Sequence, residues 1–275
     1  MEIHSVPQHQ GALGATAVQL SSGGRALAKL AGEVLGVDVR PVPVAEHGSA
    51  TVDGVANRDV LLANRAEQLA ALLPARGPVL TVGGDCGVEL APLRHARERF
   101  GRTLGVAWFD AHADLNTPET SPSGAFHGMV LRAAMGGGDT ALAADPRIGR
   151  GRAALFGARA LDRGEWPLVW QGHVRHLPVH AARRSVMVSS SVLEMDPDEV
   201  YLHIGLDVLD PAEFAGTNCP EPDGLRVAEV AAAVRAIAEA APVIGAGITE
   251  CVTDDPEELR LLVPLLEAVG QALTG

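Results

Sequence analysis

The sequence contains few aromatic residues, few cysteines and few basic residues. Aromatic residues make up only 3% of the 275 positions, too few for the stacking platforms that bind nucleic-acid bases. Lysine and arginine total 22 against 34 aspartate and glutamate, and the net charge of −12 argues against a nucleic-acid partner. Cys86, Cys219 and Cys251 lie far apart and cannot all pair, so no disulfide framework is predicted.

Long apolar runs and a leader signature are also lacking. No stretch approaches the roughly 18 apolar residues that a membrane span needs. The first residues, MEIHSVPQHQG, do not show the basic segment and apolar segment of a signal peptide. We therefore expect a cytoplasmic protein with no membrane partner.

Short apolar segments alternate along the chain with longer segments of helical periodicity, and 47% of the residues are hydrophobic. This alternation predicts one α/β domain over residues 1–275, with a parallel sheet and helices on both faces. The predicted strands are Pro78–Val82, Leu104–Phe109, Ala153–Phe156, Val200–Leu206 and Val243–Ile248. The predicted helices are Gly24–Leu35, Arg58–Leu73, Val88–Phe100, Val227–Ala240 and Pro256–Leu273.

Chemically active side chains follow four of the predicted strands at their carboxyl ends. Asp85 and Cys86 follow the first strand, Asp207 follows the fourth and Glu250 follows the fifth. The second strand runs into Asp110-Ala111-His112-Ala113-Asp114. Ligands bind at this edge of open α/β sheets, so we expect the four segments to build one site.

The sharpest of these segments is Asp110-x-His112-x-Asp114. Residues two apart point to the same side of a strand, so two carboxylates and one imidazole are expected to converge. Oxygen ligands with an imidazole suit Mn²⁺, Mg²⁺ or Zn²⁺ better than a closed thiolate site would. The motif therefore predicts a divalent metal site.

Together the motifs resemble the signature of the ureohydrolases, the family of arginase, agmatinase and formimidoylglutamase. The resemblance rests on Gly83-Gly84-Asp85, on residues 108–118 with their continuation to Met129, and on residues 203–211 with the Pro-x-Pro-x-Gly-Leu segment that follows. These motifs occur in the family's order and spacing. The resemblance implies a three-layer α/β/α sandwich around a mainly parallel sheet. It also implies hydrolysis of a guanidino C–N bond with two Mn²⁺ ions per chain.

Carried over residue by residue, the resemblance assigns catalytic groups and metal ligands. His127 matches a histidine that relays protons near the leaving amine, and Glu250 matches a carboxylate that orients the guanidinium by a bidentate pair. Cys86, which stands where the family usually has a histidine, is a candidate both as a ligand and as a catalytic group. The implied metal ligands are Cys86, Asp110, His112, Asp114 and Asp207.

A further set of residues matches those that hold an α-amino acid in arginase. Asn116, Ser121 and Ser123 match the groups around the α-carboxylate, and Asp162 and Glu165 match the pair near the α-ammonium. Hydroxyl and amide groups can donate hydrogen bonds to a carboxylate, and acidic side chains on the other side of the site can bind an ammonium. Together they would recognise a zwitterion. The implied partner is a small amino-acid substrate, and family analogy implies a homo-oligomer.

Four positions depart from the family pattern. Cys86 replaces a histidine, and Gly205 stands where a carboxylate normally bridges both ions. The cluster should therefore hold less negative charge than usual, and a soft thiol suits the hard Mn²⁺ ion poorly. Beside the pocket, Ala125 replaces a usual asparagine, and Cys219, assigned to substrate binding, replaces a usual threonine. Three interpretations stay open: an altered two-metal site, a one-metal site, or a catalytically inactive relative.

The cysteine at position 86 favours a modified guanidino group over arginine itself. N-hydroxylation makes a guanidinium more acidic and adds a hydroxyl that can approach a metal ion or a thiolate, so a weakened cluster could suffice. We therefore expect hydrolysis of N-omega-hydroxy-L-arginine to hydroxyurea and L-ornithine. Ordinary arginase or formimidoylglutamase activity is the alternative within the class. A binding protein without a working metal cluster is the alternative outside it.

Overall fold

A computed structural model describes all 275 residues, and one sheet of eight strands runs through it. The strands are β1 (Glu2–Val6), β2 (Val39–Pro41), β3 (Val79–Gly83), β4 (Gly105–Phe109), β5 (Ala153–Phe156), β6 (Arg175–Leu177), β7 (Val200–Gly205) and β8 (Val243–Thr249). Neighbouring strands are parallel throughout, and their order across the sheet is β2-β1-β3-β8-β7-β4-β5-β6.

Helices connect the strands, as parallel pairing requires. They are α1 (Gln19–Leu35), α2 (Arg58–Leu72), α3 (Leu90–Phe100), α4 (Val130–Ala134), α5 (Trp166–Trp170), α6 (Val179–Ala182), α7 (Ser185–Leu193), α8 (Val227–Ala240), α9 (Pro256–Leu259) and α10 (Val263–Thr274). Short 3₁₀ turns lie at Cys86–Glu89, Phe126–Met129, Leu206–Val208 and Arg260–Leu262. None of these helices combines the length and the apolar character needed to cross a membrane.

The two faces of the sheet pack against different helices. Val106 and Trp108 of β4 belong to one buried cluster, whereas Ala107 and Phe109 belong to another. Because successive strand residues point to opposite faces, these clusters lie on opposite sides of the sheet. Helices α1, α8 and α10 contribute to the Phe109 cluster, and α3 and α4 contribute to the Trp108 cluster. The predicted sandwich with helices on both faces is confirmed.

The middle of the sheet determines where the site lies. Every residue of β3, β4 and β7 is buried, and their sequences are mostly apolar on both faces, with Thr81 and His203 as exceptions, as expected of strands covered on both faces. Strands β3, β8, β7 and β4 are neighbours in the sheet. Their carboxyl ends therefore meet, and the segments that begin at Asp85, Asp110, Leu206 and Glu250 lie side by side.

Two predicted helices are not continuous α-helices in the structure, and proline explains both differences. The predicted helix Pro256–Leu273 is divided into α9, a 3₁₀ turn and α10. The predicted helix Val88–Phe100 is a 3₁₀ turn followed by α3. Pro264 and Pro92 carry no backbone N–H, so neither can donate the bond that would continue an α-helix from four residues earlier.

Some elements lie outside the predicted set. Strands β1, β2 and β6 and helices α4 to α7 are not predicted, and α1 begins at Gln19, before the predicted start at Gly24. Strands β2 and β6 have three residues each, none of them buried. A segment this short at a sheet edge shows neither a continuous apolar run nor a usable alternation.

Candidate active site

All of the residues predicted for the site line one pocket at the carboxyl edge of β3, β8, β7 and β4. They are Cys86, Asp110, His112, Asp114, Asn116, Ser121, Ser123, His127, Asp162, Glu165, Asp207, Cys219 and Glu250. A larger groove of about 820 Å³ lies between α1 and the β2 edge and contains none of these residues. The sheet therefore brings the separate motifs to one place, as their positions after strands predict.

The loop after β4 brings Asp110, His112 and Asp114 together by a geometry that differs from the prediction. The strand ends at Phe109, the chain bends at Ala111 and His112, and Asp114 has a left-handed backbone with φ 52°. The predicted convergence is found, but its predicted cause, strand alternation, is wrong. A bent loop with a left-handed residue turns the side chains inward instead.

Two groups of side chains have potential ligand atoms within 4.8 Å of one another, and Asp110 belongs to both. The first group is Asp110, His112 and Asp207; the second group is Cys86, Asp110, Asp114 and His203. His112 Nδ1 lies 2.8 Å from Asp207 Oδ2 and 3.4 Å from Asp110 Oδ1. The other oxygen of Asp110, Oδ2, faces the second group, at 3.6 Å from Cys86 Sγ. A carboxylate with one oxygen toward each group is suited to join two adjacent ions.

Negative charge is crowded in this pocket. Burial, followed by the charge of Asp110, raises the pKa of Asp207 to about 7 and the pKa of Asp114 well above its usual range. Burial also opposes ionisation of Asp110, but His112 and His203 outweigh it and hold the pKa of Asp110 below its ordinary value. Asp114 Oδ2 is buried without a hydrogen-bond partner. A divalent cation would neutralise these carboxylates and supply the missing partner.

The donor atoms fit divalent ions at both groups, with one mismatch. Carboxylate and imidazole ligands suit Mn²⁺, whereas a thiolate suits softer metals. Burial, followed by the charges of Glu250 and Asp110, raises the pKa of the Cys86 thiol well above its usual range. An ion at the second group must therefore displace a firmly held proton, so it should bind more weakly than an ion at the first group.

Glu250 forms hydrogen bonds that limit what else it can bind. Its Oε1 accepts a bond from the backbone N–H of Cys86 at 2.8 Å and lies 3.3 Å from His127 Nδ1. Its Oε2 accepts a bond from Asn218 Nδ2 at 2.8 Å. A carboxylate has about four acceptor positions, so Glu250 has room for about one further donor. The predicted bidentate pairing with a guanidinium would require His127 or Asn218 to release Glu250.

The loop after Asp114 offers the donors predicted for a substrate carboxylate. Ser121 Oγ accepts a bond from the backbone N–H three residues later at 3.0 Å, and Ser123 Oγ accepts one from the N–H two residues later at 3.2 Å. The two hydroxyl oxygens lie 3.5 Å apart and one can donate to the other, so at least one hydroxyl proton is available to donate to a substrate. Asn116 Nδ2 donates to Asp162 Oδ2 at 2.7 Å, which joins the two predicted halves of the zwitterion site. Cys219 is exposed at the same pocket.

Glu165 differs from the other residues predicted to bind substrate, because both of its oxygens are used within the protein. Oε1 accepts a bond from the backbone N–H of Leu115 at 2.8 Å, and Oε2 accepts one from the backbone N–H of Asp162 at 2.7 Å. Only 2% of the residue is exposed. The geometry therefore favours a positioning role, in which Glu165 holds two loops together, over the predicted direct contact with an ammonium group.

Glu165 also gives the stability of the protein a predictable pH dependence. Burial raises the pKa of Glu165 to about 7, so the folded state favours its protonated form. The resulting stabilisation is lost as the pH rises from the unfolded-state pKa through about 7. Relative to Glu165→Gln, which cannot ionise, the wild type should lose on the order of 3 kcal/mol between about pH 5 and about pH 8. Denaturant titrations of both proteins at each pH, in EDTA without added metal, measure this difference; a constant difference would contradict the prediction.

Two buried residues that contact the lining of the pocket are not predicted from the sequence. His203 belongs to the second ligand group, and Asn218 supports Glu250. His203 carries a usable signal, because it precedes Gly205 by two residues on β7 and so points to the same face of the sheet. Asn218 lies in a loop and pairs with residues distant in the sequence, so no local pattern identifies it.

Arginases are among the known proteins with similar sequences and folds. The arginase of Bacillus caldovelox is 35% identical over 180 residues, which cover 62% of this chain and 60% of that protein. The arginase of Bacillus subtilis strain 168 is 29% identical over 224 residues, which cover 78% of this chain and 75% of that protein. The native structure of the Bacillus caldovelox enzyme at pH 5.6 has a TM-score of 0.84 at 27% identity, covering 100% of this chain and 98% of that chain.

The fold likeness extends to more distant members. The Entamoeba histolytica arginase, solved in complex with L-ornithine, has a TM-score of 0.86 at 24% identity, covering 100% of this chain and 98% of that chain. The model of the arginase family matches residues 8–257, which is almost the whole chain. This match, together with the motifs that meet in the pocket, shows that the chain belongs to the arginase family.

Proposed function

We propose that the chain is a cytoplasmic, manganese-dependent amidinohydrolase that cleaves the guanidino C–N bond of an arginine-like amino acid. One observation carries this proposal: a single pocket is lined by members of two ligand groups that share Asp110 and by a loop of donors suited to a carboxylate. Metal ligands alone would serve many hydrolases. Their combination with Asn116, Ser121 and Ser123 selects a substrate that has an α-carboxylate at one end and a basic group at the other.

Bound Mn²⁺ ions would supply a water activated at neutral pH and would polarise the carbon under attack. The chain itself supplies orientation and proton transfer. Asn116, Ser121 and Ser123 would hold the α-carboxylate, and Asp162 would face the α-ammonium. Glu250 would accept one hydrogen bond from the guanidino group through the acceptor position that its other partners leave open.

His127 is the residue proposed to deliver a proton to the leaving amine. Its Nδ1 lies 3.3 Å from Glu250 Oε1, which leaves Nε2 as the atom that can exchange a proton. Burial alone would lower the pKa of His127, but the charge of Glu250 outweighs it and raises the pKa above the ordinary value. A histidine whose pKa is raised keeps its proton to a higher pH than an ordinary imidazole, which suits it to act as a general acid.

The substrate proposed is N-omega-hydroxy-L-arginine, with hydroxyurea and L-ornithine as products. The support is Cys86, whose thiol weakens the second ligand group for a hard ion while the amino-acid loop is kept. A hydroxylated guanidine is the more tractable substrate for a weakened cluster, and its hydroxyl can approach an ion or the thiol. Such a product would fit a role in supplying hydroxyurea to D-cycloserine biosynthesis.

Steady-state kinetics of the manganese-loaded protein test the proposal. N-omega-hydroxy-L-arginine, L-arginine and N-formimidoyl-L-glutamate would be compared by ornithine and formamide release. A kcat/KM for L-arginine equal to or above that for the hydroxylated substrate would establish ordinary arginase activity, the activity for which the relatives are named. Fewer than about 0.2 Mn per chain after purification with manganese, together with no turnover, would show a non-catalytic relative.

Cys86→Ser should reduce the preference for the hydroxylated substrate. Serine nearly matches cysteine in size, which matters because Cys86 Sγ lies 3.1 Å from Thr249 Oγ1 and 3.7 Å from His203 Nε2. If the thiol favours the hydroxylated guanidine, the ratio of kcat/KM for hydroxyarginine to that for arginine should fall at least about tenfold. Cys251→Ser, which alters a buried thiol outside the pocket, is the control and should leave the ratio unchanged. A ratio unchanged in both variants would remove Cys86 as the source of specificity.

A further inference from the structure

His203 lies behind the pocket, against the lining residues Asp110 and Cys86, and the proposed mechanism does not use it. It lies on β7, is completely buried, and stacks on Trp108 with 3.5 Å between ring centroids. The stacking fixes the plane of the imidazole. Its Nε2 lies 3.3 Å from Asp110 Oδ2 and 3.7 Å from Cys86 Sγ. The ring therefore presents one nitrogen directly to the second ligand group.

The spacing of this group is that of atoms around one ion. Ligand atoms bound at about 2.0–2.3 Å to the same ion lie no more than about 4.6 Å apart. The donor atoms of Cys86, Asp110, Asp114 and His203 already lie within 4.8 Å of one another. Asp114 Oδ2 has no hydrogen-bond partner within the protein. Small shifts would let all four atoms contact a single cation.

A buried carboxylate stands behind the imidazole. Glu89 Oε2 lies 3.6 Å from His203 Nδ1, and Glu89 is completely buried. Both carboxylate oxygens of Glu89 and the Nδ1 atom of His203 are buried without a hydrogen-bond partner. The pair is therefore poised to tighten. A histidine that binds a metal usually donates its other N–H to such a carboxylate, which fixes the tautomer and makes the liganding nitrogen more basic.

The neighbouring strand leaves space for this carboxylate. A Cβ atom at Gly247 of β8 would lie only 1.9 Å from Glu89 Oε1. Glu89 can therefore occupy its position only because residue 247 has no side chain. Strands β7 and β8 and the turn after β3 thus together place the carboxylate of Glu89 next to His203.

The position of Gly205 explains why the pocket needs another donor. A Cβ atom at Gly205 would lie 2.1 Å from Asp110 Oδ2, so the carboxylate of Asp110 occupies the space that a side chain there would use. The second group consequently has no donor from position 205. His203 lies two residues earlier on the same face of β7 and directs its Nε2 to the same oxygen of Asp110.

We propose that His203, held by Glu89, is the fourth ligand of the ion next to Cys86 and replaces the carboxylate that Gly205 lacks. The inference rests on the manganese requirement of the proposed function. It turns the three open interpretations into one: an altered two-metal site, with one imidazole in place of one carboxylate. It also assigns Glu89 as a positioning residue rather than a ligand.

Manganese binding to EDTA-treated protein tests this assignment without reference to activity. Wild type, His203→Gln and Glu89→Gln would be dialysed against a series of MnCl₂ concentrations, and bound manganese would be measured by elemental analysis. The wild type should bind two ions. In His203→Gln the weaker ion should be lost or its Kd should rise at least about tenfold, with the tighter ion unchanged, and Glu89→Gln should shift the same Kd by about 10–100-fold. The electron paramagnetic resonance signal of coupled Mn²⁺ pairs should weaken in the same variants.

His4→Gln is the matched control. His4 is also completely buried and lies 3.4 Å from a glutamate, Glu2, but it belongs to β1 and is not part of either ligand group. This variant should bind manganese like the wild type. If His203→Gln does not fold, the Kd of Glu89→Gln decides the question.

Several results would overturn the inference. Unchanged manganese binding by the folded His203→Gln, whether one ion or two are bound, would show that His203 and Glu89 are only a structural pair. A lower Tm of the ion-free variants, without a change in the Kd for manganese, would also show that the pair is only structural. If the wild type hydrolyses a guanidino substrate, these results leave the proposed function intact. A wild type that binds no manganese and hydrolyses nothing would overturn both.

Discussion

Asp110→Asn should remove both manganese ions and lower kcat/KM by more than about 10³-fold, the largest effect expected of any single substitution in the pocket. The reason is that Asp110 belongs to both ligand groups. Its Oδ1 lies 3.4 Å from His112 Nδ1, and its Oδ2 lies 3.6 Å from Cys86 Sγ. Asparagine keeps the size of the side chain but removes the charge and one of the two acceptor atoms. The increase in Tm that Mn²⁺ gives the wild type should disappear with the ions.

Two further variants separate this effect from a general loss of charge. Asp207→Asn alters a ligand of the first group only, so it should lose the ion beside His112 and keep measurable binding at the other group. Asp198→Asn alters an exposed acid at the opposite end of β7 and should behave as the wild type. Elemental analysis and thermal unfolding with and without Mn²⁺ give the answer. An Asp110→Asn protein that kept either ion would show that Asp110 is not shared.

The edge of the sheet and most of the site can be predicted from the sequence, for a physical reason. Parallel strands covered on both faces are short apolar runs, and ligand-binding residues follow their carboxyl ends. Asp110, Asp207 and Glu250 each come directly after such a run or one residue beyond it. Since β3, β8, β7 and β4 are neighbours, the polar segments after them have to meet.

The roles of individual residues depend on contacts that no local pattern contains. Glu165 looks like a residue for a substrate ammonium until the backbone N–H groups of Leu115 and Asp162 are found on its two oxygens. From the sequence, both oxygens of Glu250 are expected to be available to a guanidinium, but in the structure Asn218 already donates a hydrogen bond to one of them. These partners are distant in sequence, and loop conformation decides which backbone groups they meet.

His203 shows where prediction from sequence stops. Its spacing from Gly205 and Asp207 places it on the site face of β7, which the strand period alone indicates. Its relation to Glu89 and to the space at Gly247 follows only from the packing of the turn after β3 against β7 and β8. The sequence thus predicts the direction of the side chain, and only the structure reveals what surrounds it.

His127→Gln should keep both manganese ions and lower kcat by about 10²–10⁴-fold, the usual effect of losing a general acid or base. His127 is absent from both ligand groups, and its backbone N–H donates to Gly11 O at 3.0 Å, so the loop should stay in place. Because the charge of Glu250 raises the pKa of His127, the acid form persists above the ordinary range, and wild-type kcat should fall as the pH rises through that raised pKa. This alkaline decrease should be missing from the residual activity of His127→Gln, whereas His180→Gln, an exposed histidine on α6, should retain it. Loss of manganese from His127→Gln would instead place His127 among the ligands, and an unchanged pH profile would assign the proton transfer to another group.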